Sequence, residues 1–146
     1  MLIGPLPTPG IAYMTQRLGC SFGVVISASH NPYQDNGIKF FDANGSKLSD
    51  RVEHEIEGLL DLPVVTQESQ LLGKANRIDR SRHHYQDFCA ATIPLEMNLK
   101  GFKIVIDCAN GAGYKVAPRV LADLGAEIVP IGCSPKTPLH LLTTRL

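Results

Sequence analysis

The sequence predicts an α/β fold that ends in a β-α-β unit. Short apolar runs typical of strands and amphipathic stretches typical of helices both occur along the chain, and beyond residue 101 they alternate. A polar loop separates two apolar runs within residues 23–41, and residues 103–131 follow the order strand, helix, strand. With 146 residues, 44% of them hydrophobic and 19% charged, the chain has a globular composition and suffices for one ordinary domain or two small ones.

A short helix is predicted behind an apolar strand fragment at residues 1–4. Thr8 supplies a capping hydroxyl before Pro9, whose ring fixes a φ that suits the first helical position. Apolar residues then fall on one helix face, at Ile11, Met14 and Leu18. Gly19 can take the left-handed conformation that ends a helix, so we expect the helix to stop there.

The polar loop lies between two predicted strands, at residues 24–26 and 38–41. Small and hydrogen-bonding residues end the first run, and a proline followed by Asp-Asn-Gly turns the chain into the second. An Asn-Gly pair at residues 44–45 then predicts a tight hairpin turn that makes the second strand return antiparallel. Because rigid scaffolds often present reactive side chains on such loops, this loop is the candidate functional site.

Two further helices are predicted before residue 95. Asp50 and Glu53 resemble a capping box in front of an apolar stripe that ends before Pro63. Residues 85–93 carry apolar side chains at the spacing of one helix face, and Pro94 closes that helix.

The second part of the chain predicts one right-handed β-α-β unit. Residues 103–107 and 127–131 are its strands, residues 114–124 are its helix, and small residues form the loop after the first strand. A dinucleotide-binding module is not favoured, because Val116 stands where the glycine fingerprint needs its third glycine.

A polar connection at residues 96–101 marks a predicted domain boundary. It divides the chain into residues 1–95 and residues 96–133. The remaining residues, 134–146, contain two prolines and continue no predicted strand or helix.

Charge and hydropathy argue against several classes of partner. Fourteen Lys and Arg residues balance fourteen Asp and Glu residues, so neither nucleic acid nor a membrane surface is an expected partner. No apolar run approaches the roughly 18 residues that span a bilayer, and the amino terminus lacks the features of a signal peptide. We therefore expect a cytoplasmic protein, whose oligomeric state the sequence leaves unknown.

The cysteines and histidines predict no metal site. Cys20, Cys89, Cys108 and Cys133 are far apart in sequence and form no Cys-x-x-Cys pair, so neither a zinc site nor a redox motif is indicated. Buried, reduced thiols are the expectation. The five histidines have no companions at the spacing of metal ligands.

The polar loop admits two interpretations from its residues alone. Ser27, Ser29, His30 and Asn31 are of the types that hydrogen-bond their own loop backbone, which would be a purely structural role. An exposed serine near a cation also suits phosphoryl transfer, with Lys39 as the cation. Lys39 itself is equally compatible with a solvated position on the wet face of a strand.

A Ser-His-Asp hydrolase is not favoured. Neighbours in an extended chain point to opposite sides, so His30 is not expected to serve Ser29 as a general base. The chain also has no Gly-x-Ser-x-Gly turn around its serines.

Three motifs closely resemble the active-serine loop of the α-D-phosphohexomutases. They are Ile-Ser-Ala-Ser-His-Asn-Pro at residues 26–32, Asp-Asn-Gly-Ile-Lys-Phe-Phe at residues 35–41 and Gly-Ser-Lys-Leu at residues 45–48. Residues 4–9 are similar to the family's Gly-x-x-x-Thr-Pro segment, and residues 103–113 to the opening strand and loop of its second domain. The second motif is most similar to the glucosamine branch of the family.

The resemblance covers residues 1–133 and implies a fold. Residues 1–95 would be part of domain 1, a mixed sheet with helices, and residues 96–133 would be the first β-α-β unit of domain 2. The chain would be an internal or truncated fragment, and residues 134–146 would be a tail outside the family.

The same resemblance implies a role for each polar residue of the loop. Ser29 would bear the catalytic phosphate, and an oxygen of that phosphate would be one ligand of an essential Mg²⁺ ion. His30 would help to position the substrate or to transfer a proton. Asn31 would bind the substrate, and Lys39 would act as a general base or stabilise charge.

The implied reaction moves a phosphate between positions 6 and 1 of glucosamine phosphate, through a phosphoserine and a 1,6-bisphosphate. It is a step towards amino-sugar nucleotides and cell-wall precursors, and the expected ligand is a small phosphosugar. The family's aspartate-rich metal loop, its sugar loop and its phosphate loop are absent from these 146 residues.

Three hypotheses follow from that absence. The chain is a piece of such a mutase and is inactive alone, or it is an inactive remnant that serves at best as an interaction module, or its parent is a phosphomannomutase or phosphoglucomutase.

Overall fold

The computed structural model describes residues 1–135, which contain helices and strands in the order α-β-β-α-α-β-α-β. The helices are α1 (Thr8–Arg17), α2 (Asp50–Leu59), α3 (Ser81–Ala91) and α4 (Ala117–Asp123). The strands are β1 (Phe22–Ser27), β2 (Gly37–Asp42), β3 (Lys103–Asp107) and β4 (Glu127–Ile131). The predicted α/β class is confirmed, whereas the expected tail at residues 134–146 lies almost wholly outside the described residues.

β1 and β2 form an antiparallel pair that confirms the predicted order of strand, loop and strand. The register runs from Phe22 opposite Asp42 to Ser27 opposite Gly37. The turn predicted after β2 is also present, since the Asp42 carboxylate accepts the N–H groups of Asn44 and Ser46 at 2.8 and 2.9 Å. Beyond this turn the chain makes only an isolated antiparallel bridge back to β2.

Helix α1 lies against the β1–β2 hairpin at two glycines. A Cβ added at Gly23 in β1 would lie 2.0 Å from Thr15 Oγ1 of α1, which is far inside contact distance. Gly45 has a φ of +76°, and a Cβ added there would lie 2.6 Å from the carbonyl oxygen of Ala12. Only glycine permits these approaches, so they fix the position of the hairpin relative to α1.

Two predicted helix caps are wrong. Helix α1 begins at Thr8 itself, because the carbonyl of Pro7 accepts the first N–H groups, and no side chain caps the helix. In α2 the cap position is Ser49, whose carbonyl accepts the Glu53 N–H. The carboxylate of Glu53 bonds to Lys47 at 3.0 Å instead of returning to the cap, so the capping box does not form.

The predicted β-α-β unit is confirmed, with a shorter helix. β3 and β4 are parallel, with Lys103 opposite Glu127 and Asp107 opposite Ile131. Residues 114–116 form turns in place of the first predicted helical turn, and α4 begins at Ala117 with a proline in its first turn. The strand expected at residues 1–4 is reduced to an isolated parallel bridge of Leu2 with Arg77.

One hydrophobic cluster links the hairpin to the β-α-β unit through α3. Its buried members are Leu6, Ile11, Met14, Phe41, Tyr85 and Val116. Helix α3 also donates a hydrogen bond from Gln86 Nε2 to the carbonyl of Lys115 at 2.8 Å. The cluster therefore spans both sides of residue 95, where the domain boundary stays a prediction. No helix within residues 1–135 combines the length and apolar character needed to cross a membrane.

Candidate active site

The polar loop is anchored at both ends by the hairpin. Ser27 and Gly37 form the last pair of the ladder, and Ala28 is buried with 2% of its surface exposed. The carbonyl of Ala28 accepts the Asn31 N–H at 3.0 Å, which turns the chain. A single 3₁₀ turn, Tyr33–Asp35, then leads into β2. The loop is thus held by backbone bonds, and its tip faces solvent.

Ser29 sits at this tip in an uncommon backbone conformation. Its φ is +58°, in the left-handed region that few residues other than glycine adopt. The Ser29 N–H donates a 3.0 Å hydrogen bond to Ser27 Oγ, which holds the conformation. Ser27 therefore hydrogen-bonds its own loop backbone, which is the structural role that the sequence allowed for the polar residues of the whole loop. The Ser29 side chain is turned outwards and is exposed.

The Ser29 hydroxyl lies next to the His30 ring. Ser29 Oγ and His30 Nδ1 are 3.4 Å apart, at the long end of hydrogen-bond distances. The expectation that adjacent side chains point to opposite sides is wrong here, because it assumed an extended chain and Ser29 is left-handed. In the tautomer whose Nδ1 carries no hydrogen, that nitrogen can accept the Ser29 hydroxyl hydrogen.

Lys39 lies on the packed face of the hairpin. It is opposite Val25 in β1, and alternation places its side chain on the same face as Ser27 and the buried Phe41. It is half-buried, and the exposed face carries Ile26 and Ile38 instead. The solvated position that the sequence left open for Lys39 is therefore wrong, since Lys39 shares the packed face with Val25 and Phe41.

Asn31 is exposed at the tip beside His30, and its backbone N–H closes the turn onto Ala28. The structure thus gathers Ser29, His30 and Asn31 at one end of the hairpin and places Lys39 on the strand that leaves it. Their roles in binding and catalysis stay predictions.

The described residues do not assemble a cation site. Within residues 1–135, no three histidine, cysteine, aspartate or glutamate side chains converge in a way that would hold a metal ion. Asp107, the acidic residue at the end of β3, uses its carboxylate to accept the Ala109 N–H at 2.8 Å. That carboxylate stabilises its own turn.

The expectation of buried thiols is wrong. All four cysteines are reduced and only half-buried. Cys108 and Cys133, which are distant in sequence, are neighbours at the ends of β3 and β4. The parallel pairing of β3 and β4 brings these two cysteines together. No short spacing motif in the sequence predicts that proximity.

The part of the chain that contains the Ser29 loop matches a known family. Residues 1–62, which contain α1, the hairpin with Ser29 and all of α2, match the family model described as phosphoglucomutase/phosphomannomutase, alpha/beta/alpha domain I. The resemblance to the phosphohexomutases is confirmed.

Curated phosphoglucosamine mutases are similar to most of the chain. The enzyme of Chromobacterium violaceum is 59% identical over 135 residues, and that of Burkholderia vietnamiensis is 57% identical over the same length. Each match covers 92% of this chain and 30% of the relative. The chain therefore spans about a third of the length of these phosphohexomutases.

Solved phosphohexomutase structures share the fold. A Thermus thermophilus protein named as a phosphomannomutase matches with a TM-score of 0.71 at 30% identity, over 89% of this chain and 30% of its own. A phosphoglucomutase/phosphomannomutase family protein from Burkholderia thailandensis matches with a TM-score of 0.60 at 23% identity, over 88% of this chain and 28% of its own. The second likeness concerns the fold alone.

Proposed function

We propose that this chain carries the phosphoserine loop of a phosphoglucosamine mutase, which interconverts glucosamine 6-phosphate and glucosamine 1-phosphate in the cytoplasm. The observation that carries the proposal is the exposed Ser29 hydroxyl, which a left-handed backbone turns outwards beside the His30 ring. The high identity to enzymes named phosphoglucosamine mutase supports the choice of substrate.

Ser29 passes a phosphoryl group to the sugar and receives another. In the first half-reaction phospho-Ser29 gives its phosphoryl group to the 1-hydroxyl of glucosamine 6-phosphate, which yields glucosamine 1,6-bisphosphate. In the second half-reaction the bisphosphate returns its 6-phosphoryl group to Ser29 Oγ and leaves glucosamine 1-phosphate. The serine is regenerated as phosphoserine, so the net reaction is an isomerisation.

His30 and Lys39 have distinct tasks in this scheme. When Ser29 Oγ attacks the bisphosphate it loses a proton, and His30 Nδ1 at 3.4 Å is the acceptor that the structure offers. Lys39 supplies positive charge to the phosphoryl group during transfer, or acts as a base towards the sugar hydroxyl. Asn31, beside His30 at the tip, offers amide hydrogen bonds to the sugar phosphate.

Magnesium is a proposed ligand of the phosphate on Ser29. That phosphate would supply one oxygen, whereas magnesium takes about six ligands in an octahedral arrangement. Residues 1–135 hold no converging set of further ligands, so they do not by themselves fit the ion. No step of the proposed reaction is therefore assigned to it.

The half-reaction at Ser29 is testable on the chain itself. We expect incubation with glucosamine 1,6-bisphosphate to add one phosphate, detected by intact mass and located on Ser29 by peptide mapping. Ser29→Ala should abolish the gain, and Ser21→Ala, which removes an exposed serine just before β1, should not. An unmodified native chain, or a phosphate on another residue, contradicts the proposal.

A chimaera tests the substrate. We expect the chain alone to show no turnover, and we expect activity when residues 1–133 replace the matching part of the Chromobacterium violaceum enzyme. The chimaera should favour glucosamine 6-phosphate over mannose 6-phosphate and glucose 6-phosphate, and Ser29→Ala should inactivate it. A preference for mannose or glucose phosphates would favour a phosphomannomutase or phosphoglucomutase, and an inactive but folded chimaera would favour a non-catalytic remnant.

A further inference from the structure

Two thiols meet where β3 and β4 end. The last pair of the parallel ladder is Asp107 opposite Ile131, so Cys108 follows immediately after one strand and Cys133 two residues after the other. The carbonyl of Ile131 accepts both the Cys108 N–H at 2.9 Å and the Cys133 thiol at 3.2 Å. A single oxygen therefore tethers the backbone of one cysteine and the side chain of the other.

Gly132 brings the Cys133 thiol close to β3. Its φ is +57°, and a Cβ added there would lie 2.5 Å from Asp107 Oδ1 and 2.9 Å from the Ala109 nitrogen. The Gly132 carbonyl also accepts the Asn110 N–H at 2.6 Å. The residues after β4 therefore pack closely against the loop that contains Cys108.

The Cys133 thiol lies beside Cys108, because both groups share the Ile131 carbonyl oxygen. Burial, followed by the hydrogen bond and charge interaction with Cys133, raises the pKa of Cys108 to about 11. The Ile131 carbonyl oxygen is within hydrogen-bond distance of both the Cys108 nitrogen and the Cys133 sulfur, so the Cys133 side chain is held next to the Cys108 backbone. Both thiols are half-buried, so a small reagent can reach them.

We propose that Cys108 and Cys133 are a redox-responsive thiol pair that closes to an intramolecular disulfide when the chain meets a low-molecular-weight disulfide such as glutathione disulfide. The modification is separate from the Ser29 loop and independent of the proposed mutase function.

The exchange proceeds in two balanced steps. Cys133 Sγ attacks one sulfur of glutathione disulfide and expels one glutathione, which takes up the proton that Cys133 releases. Cys108 Sγ then attacks Cys133 Sγ in the mixed disulfide and expels the second glutathione, which takes up the Cys108 proton. The chain loses two hydrogen atoms, and one glutathione disulfide becomes two glutathiones. Cys133 acts first because Cys108 retains its proton at neutral pH.

The test uses the full chain with the other two cysteines removed. The Cys20→Ser/Cys89→Ser variant keeps only the proposed pair, and we expect it to lose two hydrogen atoms in glutathione disulfide. Peptide mapping without reductant should link the peptide of Cys108 to that of Cys133. Cys108→Ser should instead accumulate a glutathione adduct on Cys133, with melting under reducing conditions as the check on its fold.

The disulfide should form more readily in the folded chain, which holds the two cysteines together, than in the unfolded chain. We expect the linked form of the Cys20→Ser/Cys89→Ser variant to be at least about tenfold more favoured in native buffer than in concentrated urea, at the same ratio of glutathione disulfide to glutathione. Equal ratios in both solvents, a final state with separate glutathione adducts, or a native disulfide that involves Cys20 or Cys89 would overturn the proposal.

Discussion

Ser27 is the residue on which the geometry of the Ser29 tip depends. Its hydroxyl accepts the Ser29 N–H at 3.0 Å and so holds a backbone conformation that is unfavourable for serine. Removing that acceptor frees the loop to leave the left-handed conformation. The Ser29 hydroxyl would then be present but misplaced.

We expect Ser27→Ala to slow phosphorylation of Ser29 by about fivefold, since a lost hydrogen bond is worth roughly 1 kcal/mol. Ser27→Thr keeps a hydroxyl and should stay within a few-fold of the native rate. The measurement is the rate of phosphate gain by mass spectrometry. Unchanged phosphorylation in Ser27→Ala would show that the 3.0 Å bond does not position Ser29.

Tyr85 is expected to make the free energy of unfolding fall with rising pH in the alkaline range. Burial, and then the hydrogen bond and charge interaction with Cys89, raise the pKa of Tyr85 to about 12. A tyrosine that ionises at a higher pH in the folded than in the unfolded chain stabilises the fold fully below the unfolded pKa of about 10. That contribution is lost as the pH rises from about 10 through 12.

We therefore expect Tyr85→Phe to flatten the fall in unfolding free energy between about pH 10 and 12, because no phenol remains to ionise there. The ring and its contacts with Tyr13 and Phe88 are retained in this variant. Urea unfolding at several pH values provides the measurement, and Tyr114→Phe is the control. An equally steep fall in Tyr85→Phe would exclude this tyrosine as its source.

At the level of secondary structure, α1 and β1 are in close contact where Thr15 packs on Gly23. Thr15 is buried, and its hydroxyl donates to the Ile11 carbonyl at 2.8 Å while it occupies the space above Gly23. Any side chain at Gly23 must displace Thr15 or separate the helix from the hairpin.

We expect Gly23→Ala to lower the free energy of unfolding by about 1–3 kcal/mol, the usual range for overpacking. Gly37→Ala is the matched control in the partner strand, because its added Cβ would lie 3.9 Å from the nearest atom, the Ser27 carbonyl oxygen. Adding Thr15→Ala to Gly23→Ala should recover part of the loss. Equal stability of Gly23→Ala and Gly37→Ala in urea would contradict this account of the α1–β1 contact.

At the scale of the whole molecule, Val116 joins the β-α-β unit to the hairpin. It is 5% exposed and belongs to the same cluster as Met14 and Phe41. Helix α3 packs against both α1 and α4 and lies between the two units. The predicted domain boundary near residue 95 therefore separates two regions that share a core.

We expect Val116→Ala to reduce hydrogen-exchange protection in β1 and β2 as well as in β3 and β4. The lost burial is worth roughly 1–2 kcal/mol, and a shared core distributes it over both units. Val105→Ala is a control on the exposed side of β3. Protection lost only in β3 and β4 would show that the two units unfold independently.

Sequence periodicity predicted the elements because the spacing of apolar residues is a local property. The stripe of α3, the alternation of strand and helix after residue 100 and the Asn-Gly turn after β2 all arise within a few residues. The helix ends were less predictable. Thr8 and Asp50 are good caps by type, but the carbonyls of Pro7 and Ser49 start the helices one residue earlier.

The α/β class, the order of the elements and the position of Ser29 in a polar loop between strands could all be predicted from the residues alone. These depend on local patterns and on a contiguous motif. Three features became visible only in the folded chain: Lys39 lies on the packed face, Ser29 and His30 approach each other, and Cys133 lies beside Cys108. The physical reason is that each depends on a backbone turn or on packing between separate segments, such as α1 on Gly23 or β4 beside β3.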